Sequence, residues 1–460
     1  MFTASKTIPM VPGLPVVGSL LAMRKDRVGF MLGVIREYGD IAQMRISTRP
    51  VVVIGSAELA GEVLVEKDES FVKAPGLRIF GRPLFGNGLL TSEHGFHKRQ
   101  RRMMSPMFMH KRIAGFAQVM AERAEERQAS WKDGETIDLS AEMMRMTLEV
   151  VGKTLFGAEV GSEAEEIGHA LTVCMESIIG QLNSLLPMPP QLPTPSNLRF
   201  RKSIARLDET IYRLIRERRA SGQDRGDLLS MLLTAQDEDD GSVMDDKQVR
   251  DELMTIFLAG HETTANALAW THYLLGQHPH VYHRLQREVD EVLAGRTPTL
   301  EDMPRLPYTL QVFKESMRLY PPAYVMGRTA ERDVRIGGHD IKAGSIVVIS
   351  ILGIHHREKY FPDPERFDPT RFTPEREKAL PRHAFMPFGA GPRICIGNHF
   401  ALMEGQLMLA AITQRARLEL PPGFRVEPEP LITLRPKGGI PMRVRRRARA
   451  VRDEVVAAIA

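Results

Sequence analysis

Residues 245–276 carry the longest helical pattern in the chain, opening with Asp245 and Gln248 at capping-box spacing and ending near Gly276, before Pro279. At about 1.5 Å per residue such a helix spans roughly 40 Å or more, enough to cross a whole molecule. Apolar residues also recur at spacings of three and four over 56–67, 96–102, 110–130, 139–156, 203–219, 279–294, 308–319 and 398–415. Residues 41–55 read as two short strands around a turn, and 334–350 as a hairpin punctuated by Gly337-Gly338. The expected fold class is therefore mainly α with a small β-rich portion, that is, α+β.

The 460 residues, 43% hydrophobic and 26% charged, have the balance of a globular protein. Length alone would suggest about three domains at roughly 150 residues each, a prior that one large fold around a single central site overrides. Only two cysteines occur, Cys174 and Cys395, which excludes a disulfide framework and multi-cysteine zinc sites and fits a cytoplasmic home. The net charge of +5 allows an anionic partner without choosing among nucleic acid, membrane surface and acidic protein. Residues 1–15, with Pro9, Pro12 and Pro15, read as an extended opening segment. They lack the roughly 20 apolar residues of a membrane span, so neither an integral anchor nor a signal peptide is expected. Residues 443–460 read as a basic tail, with Arg443, Arg445, Arg446, Arg447, Arg449 and Arg452 but no interleaved aromatics for stacking on nucleic acid.

Residues 75–90 and 182–195 mix glycine or proline with large apolar side chains, Leu185, Leu186, Met188 and Leu192 among them. They read either as mobile loops over an apolar cavity or as loops packed on the core. The Asp/Glu/Gly-rich stretch 222–246 reads as a solvated connection.

Around the second cysteine the chain reads Phe388-Gly389-Ala390-Gly391-Pro392-Arg393-Ile394-Cys395-Ile396-Gly397, with a helix resuming at His399. Such a glycine-rich loop permits tight turns, lets a flat ligand approach, and can aim backbone N–H groups at a thiolate. A free cysteine is more often a small buried apolar residue than a ligand. The run nevertheless carries every fixed letter of Phe-x-x-Gly-x-Arg-x-Cys-x-Gly, extended by Ala401, and in this it resembles the cytochromes P450, the haem-thiolate monooxygenases. From composition, a chance match around either cysteine is roughly one in ten thousand.

The resemblance implies that Cys395 is the axial ligand of a haem b iron. It extends to Glu315-Ser-Met-Arg318 and Pro364-Glu365-Arg366-Phe367, which imply a buried structural triad of Glu315, Arg318 and Arg366. Mid-helix, Ala259-Gly260-His261-Glu262-Thr263-Thr264 matches the family's acid–alcohol pair in Glu262 and Thr263, with Thr264 completing a common doublet. Small residues there would let a macrocycle lie against the backbone. His97 and Arg101, followed by Ser105-Pro106 and Phe108, match the propionate-binding pattern, joined by Arg328 and Arg393. Phe388, Gly389, Ala259, Gly397 and Ala401 complete the implied haem environment.

The implied reaction is insertion of one oxygen atom from O2 into a lipophilic substrate, by hydroxylation or epoxidation, in a single soluble bacterial domain that works as a monomer. Fatty acids, terpenoids, steroids and polyketides all suit an apolar pocket expected from Leu77, Ile79, Phe80, Phe85, Leu258, Ala323, Val325, Leu431 and Leu434. Electrons would come from an external ferredoxin or flavodoxin with its NAD(P)H-dependent reductase, docking on Lys98, Arg99, Arg102, Lys111 and Arg112. A peroxide-driven or isomerising haem-thiolate enzyme and a non-catalytic haem sensor are the alternatives. The surplus charge then needs no nucleic acid.

Overall fold

The computed structural model describes residues 6–47, 49–157, 164–182, 184 and 188–447. Its longest element is the central helix, Asp246–Gln277. The Asp245 carboxylate caps it by accepting the Gln248 N–H at 2.7 Å, and Pro279 opens the next helix, Pro279–Leu293. From Val249 to Leu258 and again from Thr264 to Leu275 every side chain is buried, the mark of a helix enclosed on all faces. Helices Leu139–Phe156, Pro195–Ser221, Pro307–Leu319 and Asn398–Arg415 pack around it. At Gly260 an added Cβ would meet the Val151 side chain at 3.2 Å, so the helices cross closely there and a larger residue would press on Val151.

A five-stranded sheet lies to one side, in the order Ile41–Ile46, Arg49–Ile54, Ile346–Ser350, Val325–Ala330, Phe71–Lys73. All its pairings are antiparallel except that of Arg49–Ile54 with Ile346–Ser350. The 334–350 hairpin is thus half right. Val334–Ile336 and His339–Ile341 turn on Gly337 and Gly338, both at positive φ, but Ile346–Ser350 leaves them for the large sheet. Alternation reports a strand's faces and not its partner.

The α+β class stands, with additions. Helices Arg27–Tyr38 and Ala164–Leu182 were not anticipated, although Ile167, Leu171, Cys174 and Ile178 have helical spacing and pack into the core. Cys174 is core, its thiol pushed up to about 12 by burial. The stretch 222–246 is a solvated connection only in part, exposed at 222–226 and 238–241 but anchored between them. Asp227 caps the Leu228–Thr234 helix and holds buried Arg218, while Asp237 binds Arg99 and Arg102. Nor do residues 443–447 form a tail. Pro441–Arg446 is a strand between Ala416–Glu419 and Thr136–Asp138, with Arg445 paired to Glu419 and Arg447 to Asp290. Arg449 and Arg452 lie outside the described residues, as do residues 1–5. Residues 9–11 are extended and bond to Gln43. Among the described residues no helix is long and apolar enough to cross a membrane.

Candidate active site

The cysteine loop is closed by its own backbone, with Gly389 N–H donating to Met386 O at 3.0 Å and Cys395 N–H to Phe388 O at 2.9 Å. Gly389 and Gly391 both have positive φ, and a Cβ on Gly391 would collide with the Leu64 carbonyl, so glycine is required there. Cys395 is solvent-accessible. Protein around it still raises the thiol above its ordinary pKa, an effect opposed by the Gly397 N–H and the Arg101 charge, both of which favour thiolate. Phe108 stands 3.9 Å from where a Gly397 Cβ would be, so the Ser-Pro…Phe segment does reach this loop.

Cations converge beside the loop. Arg101 donates to Ile394 O at 2.7 Å, and Arg393 to Ser92 O at 3.0 Å and to the Glu93 carboxylate. Arg328, in strand Val325–Ala330, is buried with Nη1 on Gly327 O. Burial and the Arg393 charge lower it to about 10. His97 is lowered to about 3 by burial and then by Arg393, Lys73, Arg101 and Arg328, so it is neutral at any physiological pH. Lys73, which sequence reasoning missed, joins the group and is itself driven well below its ordinary value by burial and the two arginines. Among the described residues Lys73, Arg101 and Arg328 form no ion pair, and Glu93 is the carboxylate set against this cluster. Buried cations short of anions make a receptor for carboxylates.

On the central helix Ala259 is exposed and Gly260 and Thr263 are half-buried, while Glu262 and Thr264 are buried. Thr263 Oγ1 donates to Ala259 O at 2.7 Å, as a helical threonine does when unopposed. Glu262 turns elsewhere: Thr433 Oγ1 donates to its Oε1 at 2.5 Å, Asn266 Nδ2 donates to Thr433 at 3.1 Å, and Oε2 has no partner. Burial raises Glu262 to about 7. Thr264 donates to Gly260 O at 3.4 Å and lies beside Glu404, whose buried carboxyl, without a hydrogen bond of good geometry, is raised to about 8.

Glu315 and Arg318 form the expected fully buried pair, Nε to Oε2 at 2.7 Å. Arg366 does not join it. Its guanidinium is exposed and only its carbonyl accepts from Arg318, at 3.1 Å. Arg371 takes the third place, with Nε 3.4 Å from Glu315. Two Arg-Phe steps occur five residues apart, Arg366-Phe367 and Arg371-Phe372, and the second is the one whose side chain points inward. His355, also missed, links the pair to the cysteine loop. Its Nε2 accepts the Met386 N–H at 3.0 Å, which leaves Nδ1–H for Arg318 O at 3.2 Å, and Arg318 donates to His355 O at 2.9 Å.

Of the expected pocket residues, Ile79 and Phe80 line a cleft of 440 Å³ with Arg82, Pro83, Pro189, Pro190 and Gln191, so the two loops do meet over a cavity. Leu77, Ala323 and Val325 are half-buried and Leu431 is just buried. Phe85, Leu258 and Leu434 are packed into the core, Phe85 because the chain after Leu84 is drawn onto the central helix. There Arg250 donates to Leu84 O, Asp251 accepts the Asn87 N–H at 2.9 Å and Glu252 the Leu89 N–H at 2.8 Å. Leu185 and Leu186 lie outside the described residues. The expected docking patch is partly spent: Arg99 and Arg102 pair with Asp237 and its neighbours, and Lys98 with Glu69. Among the described residues Lys111 and Arg112 form no ion pair.

A thiolate-capable sulfur faced by an N–H, next to buried cations awaiting carboxylates, is the donor set of a haem-thiolate centre, and the residues fit that group. The cytochrome P450 family model matches residues 8–441, and the chain belongs to that family. It is 40% identical over 424 residues to cyclooctatin synthase of Streptomyces melanosporofaciens, covering 92% of each chain. It is 34% identical to pentalenene oxygenase of Streptomyces avermitilis, covering 92% of this chain and 94% of that one. The cytochrome P450DA heme domain superposes with a TM-score of 0.88 at 29% identity, over 97% of this chain and 99% of that chain. The protein is a haem b monooxygenase that acts on a lipophilic substrate and is served by redox partner proteins.

Proposed function

We propose that the chain oxygenates a cyclic terpenoid-type alkene or alcohol, with Cys395 as the iron ligand. The observation that carries the substrate class is the pair of relatives, covered over more than nine-tenths of their length, named for cyclooctatin and pentalenene. The apolar cleft at Ile79, Phe80, Pro189 and Pro190 supports it.

Arg101, Arg328, Arg393 and neutral His97, with Lys73, would hold the two propionates, and Phe388, Gly389, Gly397, Ala401 and Ala259 would bound the macrocycle. Bound haem supplies reductive activation of O2, one oxygen atom passing to substrate and the other to water, with two electrons and two protons consumed. The protein's share is the proton supply. Glu262, with a pKa of about 7, holds a proton on a carboxyl that Thr433 orients. Rotation toward Thr263 hands it on: the Thr263 oxygen can accept while its hydroxyl donates to Ala259 O, and it passes its own proton on once that hydroxyl leaves Ala259 O. Thr264 beside Glu404 offers a second hydroxyl on the same turn.

Electrons would come from a ferredoxin or flavodoxin docking near Lys111 and Arg112, to a monomer in the cytoplasm. Turnover at subsaturating donor should then fall with salt, and faster in wild type than in Lys111→Gln/Arg112→Gln. The substrate is tested by ligand-induced spin shift of the haem-loaded protein. Cyclic terpenoid alkenes and alcohols should shift the spectrum at micromolar concentration and fatty acids should not; the reverse order would overturn the assignment. Thr263→Ala should lose product formed with NAD(P)H and O2 while consumption of NAD(P)H continues.

A further inference from the structure

Arg366 is left over once Arg371 has taken its expected place, and it lines a second cleft, of 360 Å³, apart from the cysteine and from the Ile79–Gln191 cavity. Arg366, Arg371 and Arg376 edge this cleft, and Phe361, Pro362 and Leu380 give it an apolar wall. Asp363 and Asp368 also line it, and of the two only the Asp368 carboxylate is partly used. Asp368 Oδ1 accepts both the Thr370 N–H at 3.0 Å and its hydroxyl at 2.6 Å. The Asp363 contact with Arg371 is through its backbone carbonyl, at 2.9 Å.

Some surface arginines, such as Arg206, Arg219 and Arg357, each meet a carboxylate. Arg366 and Arg376 are exposed and, among the described residues, form no ion pair; Arg376 donates to the neutral Thr370 hydroxyl at 2.9 Å. Arg371 is held between Asp363 O and the buried Glu315, which fixes one guanidinium at the inner wall. Two exposed guanidinium forks, that of Arg376 with one N–H on Thr370, and one fixed fork around a common space match the oxygens of a phosphate, which arginine binds in bidentate fashion. A cleft of 360 Å³ lies in the range of small-molecule sites and holds more than a bare oxyanion. Its apolar wall suits an organic group attached to the phosphate.

We propose that this cleft binds a small organic phosphate, the phosphate between Arg366 and Arg376 and its organic part against Phe361, Pro362 and Leu380. The test is calorimetric titration of the full, haem-loaded chain with phenyl phosphate, inorganic phosphate and phenol. Phenyl phosphate should bind saturably at one site, inorganic phosphate should compete more weakly, and phenol should not bind. Arg376→Gln should weaken phenyl phosphate about tenfold, the loss of one charge-assisted contact, and Arg366→Gln/Arg376→Gln should abolish saturable binding. An unchanged ferrous–CO spectrum in each variant verifies that the fold is intact. Should the double variant lose that spectrum, Arg376→Gln alone decides, since its side chain is exposed. Equal affinity in wild type and variants, or no saturable binding to wild type, overturns the proposal. So does a result in which these arginines affect only the docking of an acidic ferredoxin.

Discussion

The two sides of the reaction centre are held by different kinds of contact. On the cysteine side, the loop is tied to distant segments through its main chain and one side chain: Arg101 to Ile394 O, His355 to the Met386 N–H, the Leu64 carbonyl against Gly391, and the Arg393 guanidinium to Ser92 O. At the rim, Ile79 is 54% exposed and faces Pro189 and Pro190 across open space, with Phe80 and Pro83 beside it. Each cysteine-side tie engages a polar group in a crowded interior, so its removal strands a partner. A rim residue can change and strand nothing. On the reading proposed for the cleft, the chemistry is thereby fixed while the choice of substrate stays adjustable.

The largest effect should come from the sulfur. Cys395→Ser should abolish the red-shifted ferrous–CO band and all O2-dependent product, whereas substitutions at the rim should leave that band in place. A thiolate spectrum surviving in this variant would remove the cysteine side from the comparison altogether. Next is the buried pair. Arg318→Leu leaves Glu315 without its partner at zero exposure, at a cost on the order of 3–5 kcal/mol. Urea unfolding of the haem-loaded protein should show the loss, together with a faster release of haem because His355 loses its anchor. Arg371→Gln should follow Arg318→Leu in kind at smaller size, and Arg366→Gln should change stability by less than about 0.5 kcal/mol. If Arg366 were the more damaging of the two, the arrangement around Glu315 would have to be redrawn.

What the sequence shows clearly is what local spacing can carry. The Cys395 run, the Glu315/Arg318 step and the Asp245 cap lie within ten residues or fewer, so their geometry follows from turn and helix periodicity. Misreadings arise where side chains meet across the fold. Arg366 and Arg371 stand in equivalent-looking steps, and only packing against the Pro307–Leu319 helix separates inward from outward. Lys73, Glu93 and His355 had no motif of their own, since their roles come from the sheet and from the turn after Ser350. Phe85 was misplaced because Gln248, Arg250, Asp251 and Glu252 draw residues 84–89 inward, a contact some 160 residues long in sequence. The acidic 237–240 turn looked solvated until its partners, Arg99 and Arg102, were beside it.

Glu404 is buried beside Thr264, and its pH dependence is a third test. Its native pKa is raised from 4.5 to about 8, so the folded state binds the proton more tightly than the unfolded one. The stabilisation is fully present below about pH 4.5 and is lost as pH rises toward about 8, at a limiting slope of roughly 1.4 kcal/mol per pH unit. Glu262 and Glu252, both about 7, add to the same decline at its lower end. Glu404→Gln should therefore flatten the stability profile between about pH 7 and pH 8, where the other two have already titrated. An unaltered profile would mean that the carboxyl is solvated and that Thr264 faces water there.

The smallest effect should come from the rim itself. Ile79→Ser and Phe80→Ser, both in the cleft wall, each remove apolar surface that is already partly exposed, worth roughly 0.5–1 kcal/mol of substrate contact, or about two- to fivefold in KM. The maximal rate and the CO spectrum should stay within error, because no hydrogen bond to the cysteine loop runs through either residue. Asp251→Asn is the informative control. Asp251 accepts the Asn87 N–H and pairs with Arg250, so its loss loosens residues 84–89 without touching the cleft wall. A rise in KM there larger than in Ile79→Ser would show that the anchoring charges of the central helix, more than the apolar side chains at the mouth, set the shape of the entrance. The difference between the two sides would then be one of distance from the sulfur and not of bond type.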